Sequence, residues 1–335
     1  MYWIIFSVLF IAIGLQIVIH EAGHLLFGLV SGYRFVSFRI GSWMVYKREG
    51  KLHFGKYSLA GTGGQCLMAP PELQGGKMPY RLYNLGGSLM NLMTAVIAYA
   101  CSRLFQNNMI LQMALFFVAI AGVVFALING IPMHTSTIDN DGYNALSLGK
   151  HPEALRALWI QLKVNEQLTE GVRLKEMPEE WFEQPKEEDL KNSMIAALEA
   201  LRCSRLLDAM EIEKADWEIR KVLQKEHGMV GVQETLLRLE QVFCEIFGEQ
   251  RKKILKRMER KDYCKFMGAM KKFPSVLRVQ YAYAIMIEQD EKKASKLYKQ
   301  FEKVMKHYPS KGEADSEWEL MQYVISQKKH KSLID

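Results

Sequence analysis

The residues with the clearest chemical potential are His20, Glu21 and His24, which form an HExxH sequence inside the first hydrophobic segment. On a helix, positions i and i+4 share one face, so the two imidazoles are spaced to bind one Zn²⁺. The glutamate between them then lies beside the metal as a general base. Residues 1–30 are otherwise apolar except for Gln16, and ionisable groups at membrane depth are costly and usually functional. The pattern therefore predicts a metal centre in a membrane helix, not two unrelated histidines on a surface helix.

Three stretches are long and apolar enough to be transmembrane helices, at about residues 3–30, 82–105 and 109–129. Residues 31–81 carry eight Lys and Arg side chains, whereas the connection at 106–108 carries none. By the positive-inside rule, the N-terminus is outside and the chain after the third span is cytoplasmic. The compact three-span organisation favours an integral protein of a bacterial cell membrane.

The third span supplies the remaining candidates for a metal ligand. A helix rising 1.5 Å per residue from its membrane entry reaches His20 after roughly 26 Å, near the far side of a ~30 Å core. The third span runs from outside to inside, so its end near Asn129 reaches the same depth. It breaks there because Pro132 disfavours a helical residue before it and lacks an N–H group. A catalytic zinc needs three protein ligands and one open position. We predict Asp141 as the third ligand, because Gly142 allows a tight turn there; Asp139 is the alternative.

These motifs resemble those of the site-2-protease family of intramembrane zinc metalloproteases, the M50 class. In that family the HExxH helix meets an Asn-x-x-Pro…Asp-Gly motif at the end of the third core helix, here Asn129-Gly130-Ile131-Pro132 and Asp141-Gly142. The second core helix of the family usually opens with Gly-x-x-x-Asn, matched by Gly87 to Asn91. The stretch between the proline and the aspartate is longer than is usual for the family. The resemblance covers about residues 1–145.

The resemblance implies a catalytic site with one Zn²⁺ held by His20, His24 and Asp141. The metal activates a water molecule and stabilises the oxyanion, while Glu21 takes the proton of the water and passes it to the leaving amine.

Three other polar residues lie near this depth. Asn129 and Asn91 are predicted to hydrogen-bond the substrate backbone or the transition state, or else to join the second and third spans by interhelical hydrogen bonds. His134 is predicted to support the ligands or to line the cavity.

The segment between the first two spans is predicted to form a small membrane-associated β-sheet. Residues 35–68 alternate aromatic and β-branched residues with polar ones around Glu49-Gly50 and around residues 61–64, which is typical of β-hairpins. In the resembled enzymes such a sheet can pair with a substrate unwound into a strand, whose exposed amides the pairing satisfies. The alternative is a sheet that only seals the cytoplasmic face of the bundle.

The C-terminal half is helical by periodicity and lacks a catalytic pattern. We predict a protease domain at 1–149, a connector at 150–189 and a cytoplasmic helical domain at 190–335. A partial repeat with an offset of 35 residues resembles tetratricopeptide-type helical hairpins and predicts a surface for a protein partner. The matching positions are Tyr263, Phe266, Met270, Phe273 and Pro274, which recur as Tyr298, Phe301, Met305, Tyr308 and Pro309.

The predicted fold is a mainly α membrane protein with a three-helix metalloprotease core, a small sheet and a soluble all-α domain. The predicted function is a zinc-dependent endopeptidase that cleaves single-pass membrane substrates, either regulators or residual signal peptides, near the cytoplasmic face. The alternative is a non-catalytic membrane scaffold, which has no reason to keep a charge within HExxH.

The net charge of +7 reflects the excess of Lys and Arg in the loop after the first span and a charged soluble surface, so no nucleic-acid partner is expected. Five scattered cysteines without a CxxC pair indicate reduced thiols rather than disulfides.

Overall fold

The computed structural model describes residues 2–57, 63–133 and 139–334. Its strands are β1 (Arg34–Ile40), β2 (Trp43–Arg48), β3 (Lys51–Lys56) and β4 (Gly64–Ala69). Its first five helices are α1 (Tyr2–Val30), α2 (Arg81–Leu104), α3 (Met109–Gly130), α4 (Asp141–Ser147) and α5 (Pro152–Glu170). The later helices are α6 (Ser193–Asp208), α7 (Ile212–Gln224), α8 (Gly231–Phe247), α9 (Lys252–Leu255), α10 (Lys261–Ala269), α11 (Pro274–Met286), α12 (Glu291–Met305) and α13 (Lys311–Ile334).

Helices α1, α2 and α3 are long and apolar enough to cross a membrane, which confirms the three predicted spans. In α1 the usual burial pattern is inverted. Its aromatic residues near the N-terminus are exposed, as Trp3 is to 85%, whereas Gln16 and the HExxH side chains are buried. Lipid is as apolar as these aromatic rings, so only the polar side chains require the interior of the bundle.

The predicted break in the third span is also present. Helix α3 ends at Gly130, and Ile131 has extended backbone with φ −75° and ψ 124°. This conformation is the one that a residue before proline prefers. The chain therefore leaves the helix at the depth at which α1 carries its histidines.

The four strands form one sheet in the order β3-β2-β1-β4. The predicted turn at Glu49-Gly50 joins β2 to β3, and both residues have positive φ, 51° and 74°, as a two-residue hairpin turn requires. The second predicted hairpin, between β3 and β4, is wrong. Strand β4 pairs with β1 in antiparallel register, with Ile40 opposite Gly64 and Arg39 opposite Gln65. Strand β2 lies on the other side of β1, so β3 and β4 are at opposite edges of the sheet.

The chain divides into two compact units, Met1–Val45 with Thr62–Leu162, and Tyr46–Gly61 with Lys163–Asp335. The first unit contains the three apolar helices, β1, β4 and α4. The expected connector at 150–189 contains the 19-residue helix α5, in addition to short 3-10 turns. The predicted domain limits at 149 and 189 stay predictions.

The second unit has a helical core built on α8 and α11. Its apolar centre includes Phe243 and Val279, both with no exposed surface. Arg278 is buried among these residues and bonds to the carboxylates of Glu240 and Glu317, at 2.8 and 2.7 Å. The segments expected to repeat lie on α10 and α12 and run to the starts of α11 and α13, whereas the close packing is that of α11 against α12 and α13. Their likeness to tetratricopeptide hairpins stays a prediction.

Candidate metal centre

The first unit brings together two histidines of α1 and one aspartate of α4. The Nε2 atoms of His20 and His24 lie 3.1 Å apart, and each lies 3.1 to 3.3 Å from Oδ2 of Asp141. Zinc bonds of about 2.0–2.1 Å in a tetrahedron separate the ligand atoms by roughly 3.3–3.4 Å. The three atoms therefore have the spacing of one face of a tetrahedral zinc site, which leaves a fourth position for water.

Hydrogen bonds on the far side of each ring fix which nitrogen faces this centre. His20 donates from Nδ1 to Oδ1 of Asn91 at 2.7 Å, and His24 donates from Nδ1 to the backbone oxygen of Tyr83 at 2.8 Å. Both Nε2 lone pairs of the neutral rings then point at each other and at the Asp141 carboxylate. Three electron-rich atoms this close repel one another without a cation between them, so the donor set itself fits a divalent metal.

The orientation of Asn91 is set by a buried polar network that joins the three helices. Its Nδ2 donates to the backbone oxygen and to Oε1 of Gln16, at 2.9 and 2.6 Å, so its Oδ1 must face His20. The Nε2 of Gln16 donates to the backbone oxygen of Val118 on α3 at 3.0 Å. Gln16 and Asn91 are both fully buried. Asn91 is thus an interhelical residue that also orients His20.

Replacing Asn91 by Leu is expected to weaken zinc binding by about 10- to 100-fold, the usual effect of removing a partner that orients a metal ligand. The measurement is the zinc dissociation constant by competition with a chelator. The matched control is Asn129→Leu, since the Asn129 amide donates to Phe125 of its own helix at 3.0 Å. Equal zinc affinity in the Asn91 variant and the parent would contradict the orienting role.

Asp141 is delivered by the first turn of α4. The side chain of Asn140 caps this helix by accepting from the Tyr143 N–H at 2.9 Å, and its Nδ2 donates to the backbone oxygens of Ile128 and Ile131, at 2.8 and 2.6 Å. The cap therefore fastens the start of α4 to the broken end of α3. Asn140 has no distinctive sequence signal, because an asparagine before a short helix is common.

The reason for glycine at position 142 differs from the one expected. Gly142 lies within α4, and a Cβ added there would lie 2.2 Å from the backbone oxygen of Gly130. The residue therefore allows α4 to approach the end of α3, which no side chain would permit. A close approach of two backbones, not a turn, directs Asp141 to the histidines.

Glu21 is buried next to the start of β4. A Cβ added to Gly64 would lie 2.6 Å from both Cγ and Oε1 of Glu21, so glycine is needed for the carboxylate to lie there. At this end of the strand Gly63 is exposed and Gly64 is half-buried. The carboxylate is therefore next to a part of the sheet that remains accessible.

The other predicted site residues have different surroundings. Among the described residues, the group that could hold a metal contains Asp141 and not Asp139. Asn129 is half-buried, and its amide donates back into α3. His134 lies outside the described residues.

Tyr83 is a further residue of the site that the sequence does not reveal. Its backbone oxygen accepts from His24, and its hydroxyl donates to the backbone oxygen of Cys66 on β4 at 3.1 Å. One residue of α2 thereby connects a candidate metal ligand to the edge strand of the sheet. A tyrosine among many apolar residues gives no sequence signal for such a role.

A family model for peptidase family M50 matches residues 8–309. The match extends well beyond the region up to about residue 145 in which the individual motifs are found. No curated protein and no solved structure is significantly similar to the chain.

Proposed function

Because the chain belongs to peptidase family M50, a family of metalloproteases, we propose that it is a zinc-dependent intramembrane endopeptidase. Its substrates are single-pass membrane proteins, either membrane-tethered regulators or residual signal peptides, cleaved near the cytoplasmic face. The observation that supports this most strongly is the convergence of His20, His24 and Asp141 within 3.3 Å of one another. The alternative of a non-catalytic scaffold has no support from the family match.

The proposed chemistry assigns one role to each residue. His20, His24 and Asp141 hold the metal, and Asn91 and Tyr83 keep the two rings in the orientation that presents Nε2. When bound, Zn²⁺ supplies a Lewis acid that activates water and polarises the scissile carbonyl. Glu21 accepts the proton of the attacking water and later donates it to the leaving amine.

The sheet supports a second part of the proposal, the pairing of an unwound substrate with β4. Strand β4 is at an edge of the sheet and begins beside Glu21. A transmembrane helix hides its peptide bonds in its own hydrogen bonds, so a substrate must unwind before cleavage. Edge pairing satisfies the amides that unwinding exposes.

The orientation in the membrane is also proposed. The excess of Lys and Arg between the first two spans supports an N-terminus outside and a C-terminal region in the cytoplasm, and we place the protein in a bacterial cell membrane. We further propose that the C-terminal helices bind a protein partner, which the packing of α11 against α12 and α13 supports.

The test is cleavage of a labelled single-pass protein reconstituted with the chain in liposomes. Cleavage within the substrate's membrane span is expected, with loss on treatment with a zinc chelator and recovery on addition of Zn²⁺. Undiminished cleavage after complete removal of zinc, or intact substrates of several sequences in the presence of zinc, would contradict the proposal.

A further inference from the structure

We propose that Arg39 is a positioning residue that holds the accessible end of β4 beside Glu21 and thereby prepares the strand edge for the substrate. The inference rests on the proposed function and deepens it, since it concerns how the substrate backbone is received. Arg39 lies on β1, and its side chain is only 1% exposed. A buried guanidinium in a small sheet is costly unless its donors are satisfied.

The register shows which groups of β4 face the free edge. The Gly41 N–H donates to the Gly63 oxygen at 2.8 Å, and this pair continues the register in which Ile40 lies opposite Gly64. Hydrogen-bonded and non-hydrogen-bonded pairs alternate along an antiparallel ladder. The N–H and C=O groups of Gly64 and Cys66 therefore point away from β1, towards the free edge of the sheet.

Both outward carbonyl groups are held by side chains of the same unit. Nη2 of Arg39 donates to the Gly64 oxygen at 3.2 Å, and the Tyr83 hydroxyl donates to the Cys66 oxygen at 3.1 Å. These two contacts fix the orientation of the outward peptide groups. Each carbonyl oxygen has a second lone pair, so the outward C=O and N–H groups can both pair with an incoming strand.

Arginine suits this position because its planar fork can bind two acceptors at once. Nη1 of Arg39 donates to the Gly41 oxygen at 2.6 Å while Nη2 reaches Gly64. The side chain thus connects the end of β1 to the beginning of β4. Gly64 is also the residue whose position the Glu21 carboxylate restricts, so movement of this end of β4 changes the surroundings of the proposed base.

The experiment uses the full chain loaded with zinc, in detergent, with Glu21→Gln as the parent to prevent cleavage. Into it are placed Arg39→Met, Arg39→Lys and the control Arg34→Met, which removes an exposed arginine from the other end of β1. The first readout is amide hydrogen exchange of residues 63–69. The second is binding of fluorescein-labelled casein, an unfolded polypeptide, by fluorescence anisotropy.

We expect Arg39→Met to speed exchange at residues 63–66 and to weaken casein binding, each by at least about tenfold, with zinc content unchanged. Arg39→Lys, which keeps the charge but loses the fork, is expected to give intermediate values, and Arg34→Met the values of the parent. If Arg39→Met does not fold, the lysine variant decides by the same two readouts.

Three results would overturn the inference. Unchanged exchange in the Arg39 variants would mean that Arg39 does not hold β4. Faster exchange with unchanged casein affinity would mean that Arg39 stabilises the sheet but does not contribute to substrate binding. Absence of casein binding by the parent would refute the strand-receiving edge and the inference with it. Zinc content and cleavage of a membrane substrate, measured separately, would still decide the proposed function.

Discussion

Replacing Glu21 by Gln is expected to leave zinc binding intact and to lower the rate of peptide cleavage by at least about 100-fold, the range typical of removing a general base or acid. Glutamine has nearly the shape of glutamate, so its contact with Gly64 and the packing of α1 are preserved. Its amide cannot accept a proton from water. The loss should therefore appear in the chemical step and not in metal binding or folding.

The measurement is the cleavage rate of a single-pass substrate in liposomes, with zinc per chain determined on the same samples. Glu49→Gln is the matched control, because it makes the same chemical change at an exposed turn between β2 and β3. A Glu21 variant that cleaves within a few-fold of the wild-type rate would refute the role of this residue as the base.

Replacing Gly87 by Ala is expected to displace His20 and to weaken zinc binding by at least about tenfold. A Cβ at this position would lie 2.4 Å from Cε1 of the His20 ring and 2.6 Å from both ring nitrogens. Such distances are far inside van der Waals contact, so the ring must move. The ring bonds to Asn91 through Nδ1 and would bind the metal through Nε2, so any movement that relieves the clash weakens one of these two interactions.

Gly14→Ala provides the control for this variant. Gly14 also lies in a membrane-spanning helix, and a Cβ added there meets nothing within 4 Å. Both changes favour the helix by propensity, so a difference in zinc affinity between the two variants reports on the His20 ring. Equal zinc affinity in Gly87→Ala and Gly14→Ala would contradict the predicted displacement of the His20 ring by the added methyl group.

The parts of the site that could be predicted from sequence are those with a local signal. HExxH carries its ligand spacing within five residues, and Pro132 ends a helix wherever it occurs. The roles of Gly87 and Asn91 cannot be inferred from a local signal. Their spacing was visible, but only the packing of α2 on α1 shows that the glycine leaves room for His20 and that the asparagine orients it.

The parts that could not be predicted depend on contacts distant in sequence. The pairing of β4 with β1 was missed because a sequence pattern identifies strands but not their partners. In the sequence Gln16 is only a polar interruption, and its role depends on Asn91, 75 positions away. Residues 46–61 group with the second unit, which no change in composition announces. The family match to residue 309 likewise exceeds what the motifs covered.

The most direct test of the metal centre is the amount of zinc per chain in detergent, for the wild type and for His24→Ala, Asp141→Asn and Asp139→Asn. We expect close to one zinc per chain in the wild type and in Asp139→Asn, and loss of zinc in the other two, because Asp141, and not Asp139, lies with the two histidines. Asparagine keeps the size of the aspartate while removing its charge. A well-folded wild-type chain without zinc, or an Asp141→Asn variant that retains it, would contradict the account.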